Sequence, residues 1–251
     1  MKMLDLFSGI GGISLAADWA GIETVAFCEI EPFCQKVLRK HWPDVPIFDD
    51  VTKLSKQTLT EAGVIDDERA IDIICGGYPC QPFSNAGKRA GTKDDRHLWP
   101  EMFRLIQELR PTWVVGENVA GHVSMGLDDV LSDLESEGYK TRSFLIPACA
   151  VGAIHRRDRV FVVAYSNNKY VQGSAKISIQ RKQGIQRIIH TRENKEWPRR
   201  SSLFEPKLCR NLNGIPDGMD RTKALGNAVV PQQIYPIFKA IAEIERGNIA
   251  W

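Results

Sequence analysis

Paired cysteines are absent from this sequence of 251 residues. Its six cysteines are scattered along the chain, and none belongs to a Cys-x-x-Cys pair. This usage argues against a disulfide framework and against a zinc site, and it fits a reducing compartment. We therefore expect a cytoplasmic protein that holds no metal ion. The cysteines are Cys28, Cys34, Cys75, Cys80, Cys149 and Cys209.

Long hydrophobic runs are absent as well, since no apolar stretch approaches the length that spans a bilayer. The first residues lead directly into a predicted strand and lack the pattern of a signal peptide. Hydrophobic residues make up 43% of the chain and charged residues 25%, which is an ordinary globular balance. We expect no membrane association, and the length allows one large domain and a small one.

The net charge of +2 hides an uneven distribution. Residues 166–225 contain 13 Lys and Arg against 5 Asp and Glu, whereas the remainder contains 20 against 26. A confined basic excess is typical of a lobe that contacts phosphates. A solvated basic loop would give the same charge pattern, so charge alone favours neither interpretation.

A cysteine between two prolines follows a short apolar stretch, residues 70–75, that predicts a buried strand of a parallel sheet. The sequence continues as Gly76-Gly77-Tyr78-Pro79-Cys80-Gln81-Pro82-Phe83-Ser84. Ligands of open α/β sheets bind at the carboxyl edge, where such a loop would lie. Cys80 is therefore a candidate nucleophile if its thiol ionises. The alternative is a small, buried, apolar cysteine.

A second glycine-rich turn lies near the N-terminus. Residues 2–7 predict a strand, Ser8-Gly9-Ile10-Gly11-Gly12 a turn, and residues 13–19 a helix. Glycines allow close approach of the backbone to a ligand, and the helix start offers free N–H groups. By itself this turn could serve NAD, FAD or S-adenosylmethionine, and it lacks the third glycine of the dinucleotide fingerprint.

Acidic residues follow the next two predicted strands. Glu29 ends a strand at residues 23–28, where a carboxylate can accept hydrogen bonds from ribose hydroxyls. We expect Glu31, before Pro32, to cap the following helix. A short third strand leads to Asp49 and Asp50, of which we expect Asp49 to face solvent.

The rest of the chain predicts further strands and helices. Residues 112–116 predict a buried strand that ends before Glu117, and residues 160–164 predict another. Residues 55–70 are polar and helix-like, and residues 97–109 and 232–246 show apolar residues on one helical face. Alternating strands and helices predict an α/β fold with a doubly wound, mostly parallel sheet.

Four stretches together closely resemble the DNA cytosine-5 methyltransferases of bacteria and phages. They are the Cys80 loop, the turn from Asp5 to Gly12, Glu117-Asn118-Val119, and the Gly-Asn-Ala-Val-Val-Pro stretch at residues 226–231. They occur in the family's order and lie on both sides of the basic segment. The resemblance implies the S-adenosylmethionine-dependent methyltransferase fold and methylation of C5 in a flipped-out cytosine of duplex DNA.

The resemblance also implies roles for individual residues. Cys80 would add to C6 of the ring, Glu117 would hold N3, and Arg159 with Arg157 would bind O2 or steady the other two groups. The resemblance does not identify the base that removes the C5 proton, and an ordered water near Asn118 is one candidate. The S-adenosyl-L-methionine contacts would come from Phe7, Gly9, Ile10, Gly11, Gly12, Glu29, Ile30, Asp50, Val51, Pro79, Leu98, Asn227 and Ala228, with Asp50 receiving the adenine amino group.

Two departures from the family stand out. His155 occupies a position where the family has Gln, in the pattern Gln-x-Arg-x-Arg before a strand. The basic segment does not match residue by residue and is short for a target-recognition domain. We expect a catalytic domain at residues 1–165, completed by residues 226–251, and a short recognition region with its return segment at residues 166–225. The loop at residues 85–96 would close over DNA.

The predicted partner is double-stranded DNA, bound by a monomer. Two alternatives remain open at this point. One is an enzyme of the same fold that methylates cytosine in RNA, because a basic segment serves either nucleic acid. The other is a catalytically silent DNA-binding remnant, which the short recognition region and His155 motivate.

Overall fold

The computed structural model of the protein describes residues 1–66, 70–79, 98–124, 126–166 and 224–251. Cys80, the loop at residues 85–96 and nearly all of the basic segment therefore lie outside the described residues. The strands are β1 (Lys2–Leu6), β2 (Glu23–Cys28), β3 (Ile47–Phe48), β4 (Ile73–Gly76), β5 (Trp113–Val119), β6 (Tyr139–Ile146) and β7 (Arg159–Ser166). The helices are α1 (Gly12–Trp19), α2 (Pro32–His41), α3 (Lys56–Glu61), α4 (Trp99–Leu109), α5 (Leu127–Ser136) and α6 (Pro231–Glu245).

The described strands form one seven-stranded sheet in the order β3-β2-β1-β4-β5-β7-β6. Strands β1 to β5 pair in parallel, and β7 runs antiparallel to both β5 and β6. The strand order reverses between β1 and β4, so the loops that leave these two strands diverge and open a crevice. The doubly wound, mostly parallel sheet predicted from the sequence is confirmed.

Apolar layers cover both faces of the sheet, because successive strand residues point to opposite sides. On one face, Leu4 and Ile74 pack with Met102 of α4. On the other face, Met3 and Ile73 belong to a cluster with residues of α1 and α6. Both faces of β1 and β4 are buried, which explains their nearly continuous apolar sequence. Helix α6, the last of the chain, thus completes the core that β1 begins.

Of two expectations about helix boundaries, one was wrong and one was confirmed in position. Helix α3 ends near Gly63, whose φ of +70° is incompatible with helix, and it does not extend over residues 55–70. Glu31 occupies the N-cap position of α2 as expected, and its carbonyl accepts the N–H of Gln35 at 3.0 Å, but its side chain makes no capping hydrogen bond. Its backbone N–H donates to the carboxylate of Glu29 at 2.8 Å.

Strand lengths also differ from those predicted. β4 begins at Ile73, three residues later than expected. β5 continues to Val119 because it pairs with β7 along its full length, with Val119 opposite Arg159. Glu117 and Asn118 therefore lie within a paired strand. Among the described residues, none of the helices is both long and apolar enough to cross a membrane.

Candidate active site

A cavity of about 610 Å³ lies at the carboxyl ends of the parallel strands. It receives residues from the loops after β1, β2, β3 and β4 and from the end of β5. Because three glutamates and two aspartates line it, we call it the acidic cavity. The sequence-predicted site residues that line it are Phe7, Gly9, Glu29, Ile30, Asp50, Val51, Pro79, Leu98, Glu117, Asn118, Arg159 and Asn227.

Glu29 lies at the floor of the acidic cavity, directly after β2, and is 7% exposed. Its Oε2 accepts the N–H of Gly9 at 2.6 Å, and its Oε1 accepts the N–H of Glu31 at 2.8 Å. Burial raises the pKa of this carboxyl, and the backbone N–H groups oppose the rise. A carboxylate has about four acceptor positions, so Glu29 retains capacity for the hydroxyls of a sugar.

Asp50 and Val51 form another wall of the cavity. The Oδ1 atom of Asp50 accepts the hydroxyl of Thr52 at 2.6 Å and its N–H at 3.0 Å. These bonds, with the charge of Lys53, lower the pKa of Asp50, which therefore stays an acceptor. Val51 is buried, whereas Asp49 is exposed as predicted.

The hydrogen-bond acceptors and the apolar side chains that line the acidic cavity fit an adenosyl group. A Cβ added to Gly9 would meet nothing within 4 Å, so the backbone there faces open space. The volume falls within the usual 300–1,000 Å³ of small-molecule sites. Acceptors at Glu29 and Asp50 and the apolar side chains of Val51 and Leu98 suit a sugar and a purine. In the described residues no group of acidic, His and Cys side chains could hold a metal ion.

A buried ion pair occupies the opposite wall. Arg159 Nε lies 2.7 Å from Glu117 Oε1, and the two side chains are only 16% and 10% exposed. Burial raises the pKa of Glu117, while the charges of Arg159 and Arg157 oppose the rise. A Cβ at Gly77 would lie 3.0 Å from Glu117 Oε2, so the absence of a side chain there leaves room for the carboxylate.

The backbone before Cys80 is held from β5. The side-chain amide of Asn118 donates to the carbonyl of Tyr78 at 3.2 Å, and its oxygen accepts the N–H of Val119 at 2.8 Å. The hydroxyl of Tyr78 lies 2.9 Å from Nε2 of the buried His122. Pro79, the last described residue before Cys80, lines the acidic cavity beside Glu117.

Five of the predicted site residues lie elsewhere. A second cavity of about 660 Å³ lies between α1, α2 and residues 224–231, which we call the closing segment. Its lining includes the predicted residues Ile10, Gly11, Gly12, Arg157 and Ala228. These five residues line the second cavity and not the acidic cavity, and their proposed roles stay predictions.

The side chains of Arg157 and Arg159 have different partners because the backbone turns at Arg157. Its φ of +31° turns the backbone, and its Nη2 donates to the carbonyls of Gly226 and Ala228, both at 2.7 Å. Its own carbonyl accepts the side-chain amide of Gln233 at 3.0 Å. Arg157 therefore ties the closing segment to β7 and reaches Glu117 only through its charge.

The sequence reasoning assigned no role to the side chain of Asp5, which lies in β1 beneath the glycine turn. Asp5 is 0% exposed, and its Oδ2 accepts the hydroxyl of Ser14 at 2.7 Å. Burial raises its pKa to about 7. The sequence does contain a signal for this buried acid, because Asp5 lies between Leu4 and Leu6 in a strand that is buried on both faces. A carboxyl at such a position cannot reach water.

Comparisons with known proteins agree with the fold. Similar solved structures are methyltransferases, among them a DNA modification methyltransferase encoded within a prophage of E. coli. It has a TM-score of 0.57 and 27% identity over 71% of this chain and 49% of its own. A second is DNMT2 of Spodoptera frugiperda, with a TM-score of 0.54 and 25% identity over 66% of this chain and 50% of that chain. The fold of this chain is similar to that of these methyltransferases.

The model of the C-5 cytosine-specific DNA methylases matches residues 1–203, and the chain belongs to this family. The Type II methyltransferase M.HgiBI of Herpetosiphon aurantiacus is 30% identical over 98% of this chain and 54% of its own length. The Type II methyltransferase M.AquIA of Picosynechococcus is 32% identical over 68% of this chain and 74% of its own. The chain spans about half the length of M.HgiBI.

Proposed function

We propose that this protein transfers a methyl group from S-adenosyl-L-methionine to C5 of a cytosine in double-stranded DNA. The observation that carries the proposal is the buried Glu117–Arg159 pair, which faces the same cavity as Glu29 and Pro79. A carboxyl of raised pKa beside a guanidinium suits a pyrimidine, whose N3 and O2 need a proton and a cation as charge develops. Family membership supplies the reaction class.

The proposed chemistry begins at Cys80. Its thiolate adds to C6, which makes C5 a nucleophile that takes the methyl group and releases S-adenosylhomocysteine. A base then removes the C5 proton, and the thiolate leaves C6 as the double bond returns. Glu117 in its protonated form holds N3 during the addition, and Arg159 holds O2 or fixes Glu117. Asn118 keeps the backbone before Pro79 in place through the carbonyl of Tyr78.

The methyl donor binds in the acidic cavity in this proposal. Glu29 accepts the ribose hydroxyls, Asp50 the adenine amino group, and Leu98 with Val51 contacts the ring. The other predicted contacts come from Phe7, Gly9, Ile30, Pro79 and Asn227, and the roles of Ile10, Gly11, Gly12 and Ala228 remain to be tested by substitution.

The domain division and the partner are part of the same proposal. Residues 1–165 and 226–251 form the catalytic domain, and the basic residues 166–225 contact DNA phosphates as a short recognition region. Flipping a base out of the stack costs a few kcal/mol, which such contacts offset. We propose a cytoplasmic monomer.

Incubation with S-adenosylmethionine labelled in its methyl group, in parallel with duplex DNA and with tRNA, tests the proposal. We expect label in DNA and loss of labelling in the Cys80→Ser variant. Bisulfite sequencing of the labelled DNA then gives the target sequence. Label in tRNA alone would indicate an RNA methyltransferase. Equal DNA binding by wild type and C80S, with neither methylating, would indicate a silent DNA-binding protein.

A further inference from the structure

Arg104 of α4 makes four side-chain hydrogen bonds beside the acidic cavity without lining it. Its Nη2 donates to the carbonyl of Val51 at 3.0 Å and to that of Leu54 at 2.9 Å. These two carbonyls belong to the turn that presents Asp50 and Val51 to the cavity. One guanidinium nitrogen thus joins both ends of that turn to a helix of the core.

Two glutamates on the same helix fix the orientation of the guanidinium. Its Nε donates to Glu101 Oε2 at 2.9 Å, and its Nη1 donates to Glu108 Oε1 at 2.7 Å. The planar fork of arginine provides donors in several fixed directions, which lysine cannot do. With Nε and Nη1 engaged by the helix, Nη2 is directed at the turn.

Glu108 extends the connection beyond the turn. Its Oε2 accepts the N–H of Lys56, the first residue of α3, at 3.0 Å. The segment from Val51 to Lys56 is therefore held at three backbone points by α4, the helix whose start places Leu98 in the cavity. The relative position of Leu98 and Asp50 depends on this connection.

We propose that Arg104 is a positioning residue for the methyl donor, acting through Asp50 and Val51. It sets the distance between the acidic acceptor and the apolar wall formed by Leu98, and so it determines how well the purine is held. This inference rests on the proposed function, because it uses the adenine site assigned there.

The first test is binding of S-adenosylhomocysteine by isothermal titration calorimetry to the wild type, Arg104→Gln and Arg110→Gln. We expect R104Q to bind about tenfold more weakly, equivalent to about 1.4 kcal/mol. Arg110 is the matched control, because it terminates the same helix and pairs with Glu137, away from the turn. R110Q is expected to bind like the wild type.

A second readout separates positioning from general loss of structure. S-adenosylhomocysteine methylated at the adenine N6 should bind less well than the unmodified ligand in the wild type, because Asp50 receives that amino group. In R104Q the ratio of the two Kd values should fall toward one. At saturating methyl donor, kcat of R104Q should remain within about threefold of the wild type while KM rises.

The outcomes are distinguishable. If the wild type does not bind S-adenosylhomocysteine, the proposed function fails at this cavity. If the wild type binds and R104Q binds equally well with an unchanged N6 ratio, the positioning role is overturned. If R104Q does not fold, Arg104→Lys carries the test, since lysine keeps the charge but not the fork. Weaker binding by folded R104K supports the inference, and unchanged binding overturns it.

Discussion

Two buried carboxyl groups occupy β1 and β5 of the same sheet, and their surroundings differ. Glu117 in β5 faces the acidic cavity and pairs with Arg159. Asp5 in β1 is 0% exposed and contacts the hydroxyl of Ser14 and, at 3.7 Å, the thiol of Cys75. Burial raises the pKa of both. A cavity and a cation make the first acid usable for chemistry, while the second, enclosed by uncharged donors, can serve only the fold.

The largest effect expected from this difference is on catalysis. Glu117→Gln leaves an amide that can donate a hydrogen bond to the pyrimidine N3 but cannot transfer a proton to it, so methyl transfer to duplex DNA should fall by at least about 100-fold. Binding of S-adenosylhomocysteine should stay within about threefold of the wild type. Asp5→Asn, which alters the other buried acid, should keep its rate within about threefold. A fully active E117Q variant would remove the basis for treating the two acids differently.

The next effect is on stability at the cavity. Arg159→Gln leaves Glu117 buried without its cation, and the free energy of unfolding in urea should decrease by about 3 kcal/mol. The double variant E117Q/R159Q should regain most of that loss, because no charge is then left unpaired. Arg156→Gln is the control: the Arg156 side chain, which pairs with Asp158, is 82% exposed, and its loss should cost less than about 1 kcal/mol. Equal losses in R159Q and the double variant would contradict an interaction between the two side chains.

The smallest effect is a pH dependence that belongs to Asp5. Its pKa is about 7 in the folded protein against an ordinary value of 3.8, so the folded state binds the proton more tightly. Stability therefore falls as pH rises from about 4 to 7, where the unfolded chain has released the proton and the folded one still holds it.

Asp5→Asn should remove this component. Between pH 5 and pH 8 the wild type should lose about 2–3 kcal/mol of unfolding free energy relative to D5N. Subtracting the two curves cancels the titration of Glu117, whereas Glu29, whose charge acts on Asp5, contributes to the difference through that coupling. A difference that is flat across this range would mean that Asp5 ionises in the folded protein at its ordinary pKa.

The sequence predicted the sheet because its strands are short apolar stretches that end in glycines and acids. It also predicted most residues of the acidic cavity, since Glu29, Asp50 and Glu117 all follow or end parallel strands. Residues at such positions converge at one edge whatever the details of packing.

The roles of neighbouring arginines could not be predicted in the same way. Arg157 and Arg159 stand two residues apart before and within a strand, and only the left-handed backbone at Arg157 sends one to the closing segment and leaves the other at Glu117. Arg104 was hidden for a different reason. Its acceptors are backbone carbonyls some fifty residues away in the sequence, and a pattern of side chains cannot predict a hydrogen bond to a distant backbone group.

The close contact at Gly12 indicates a second, structural role for the glycine turn. A Cβ at this position would lie 2.4 Å from the carbonyl oxygen of Val229, in the closing segment more than two hundred residues later. Even alanine here would force the glycine turn and the closing segment apart, whatever small molecule the protein binds. Gly12 is thus required by the packing of the glycine turn against the closing segment. A glycine motif that is usually explained by nucleotide binding therefore also has a structural role in this protein.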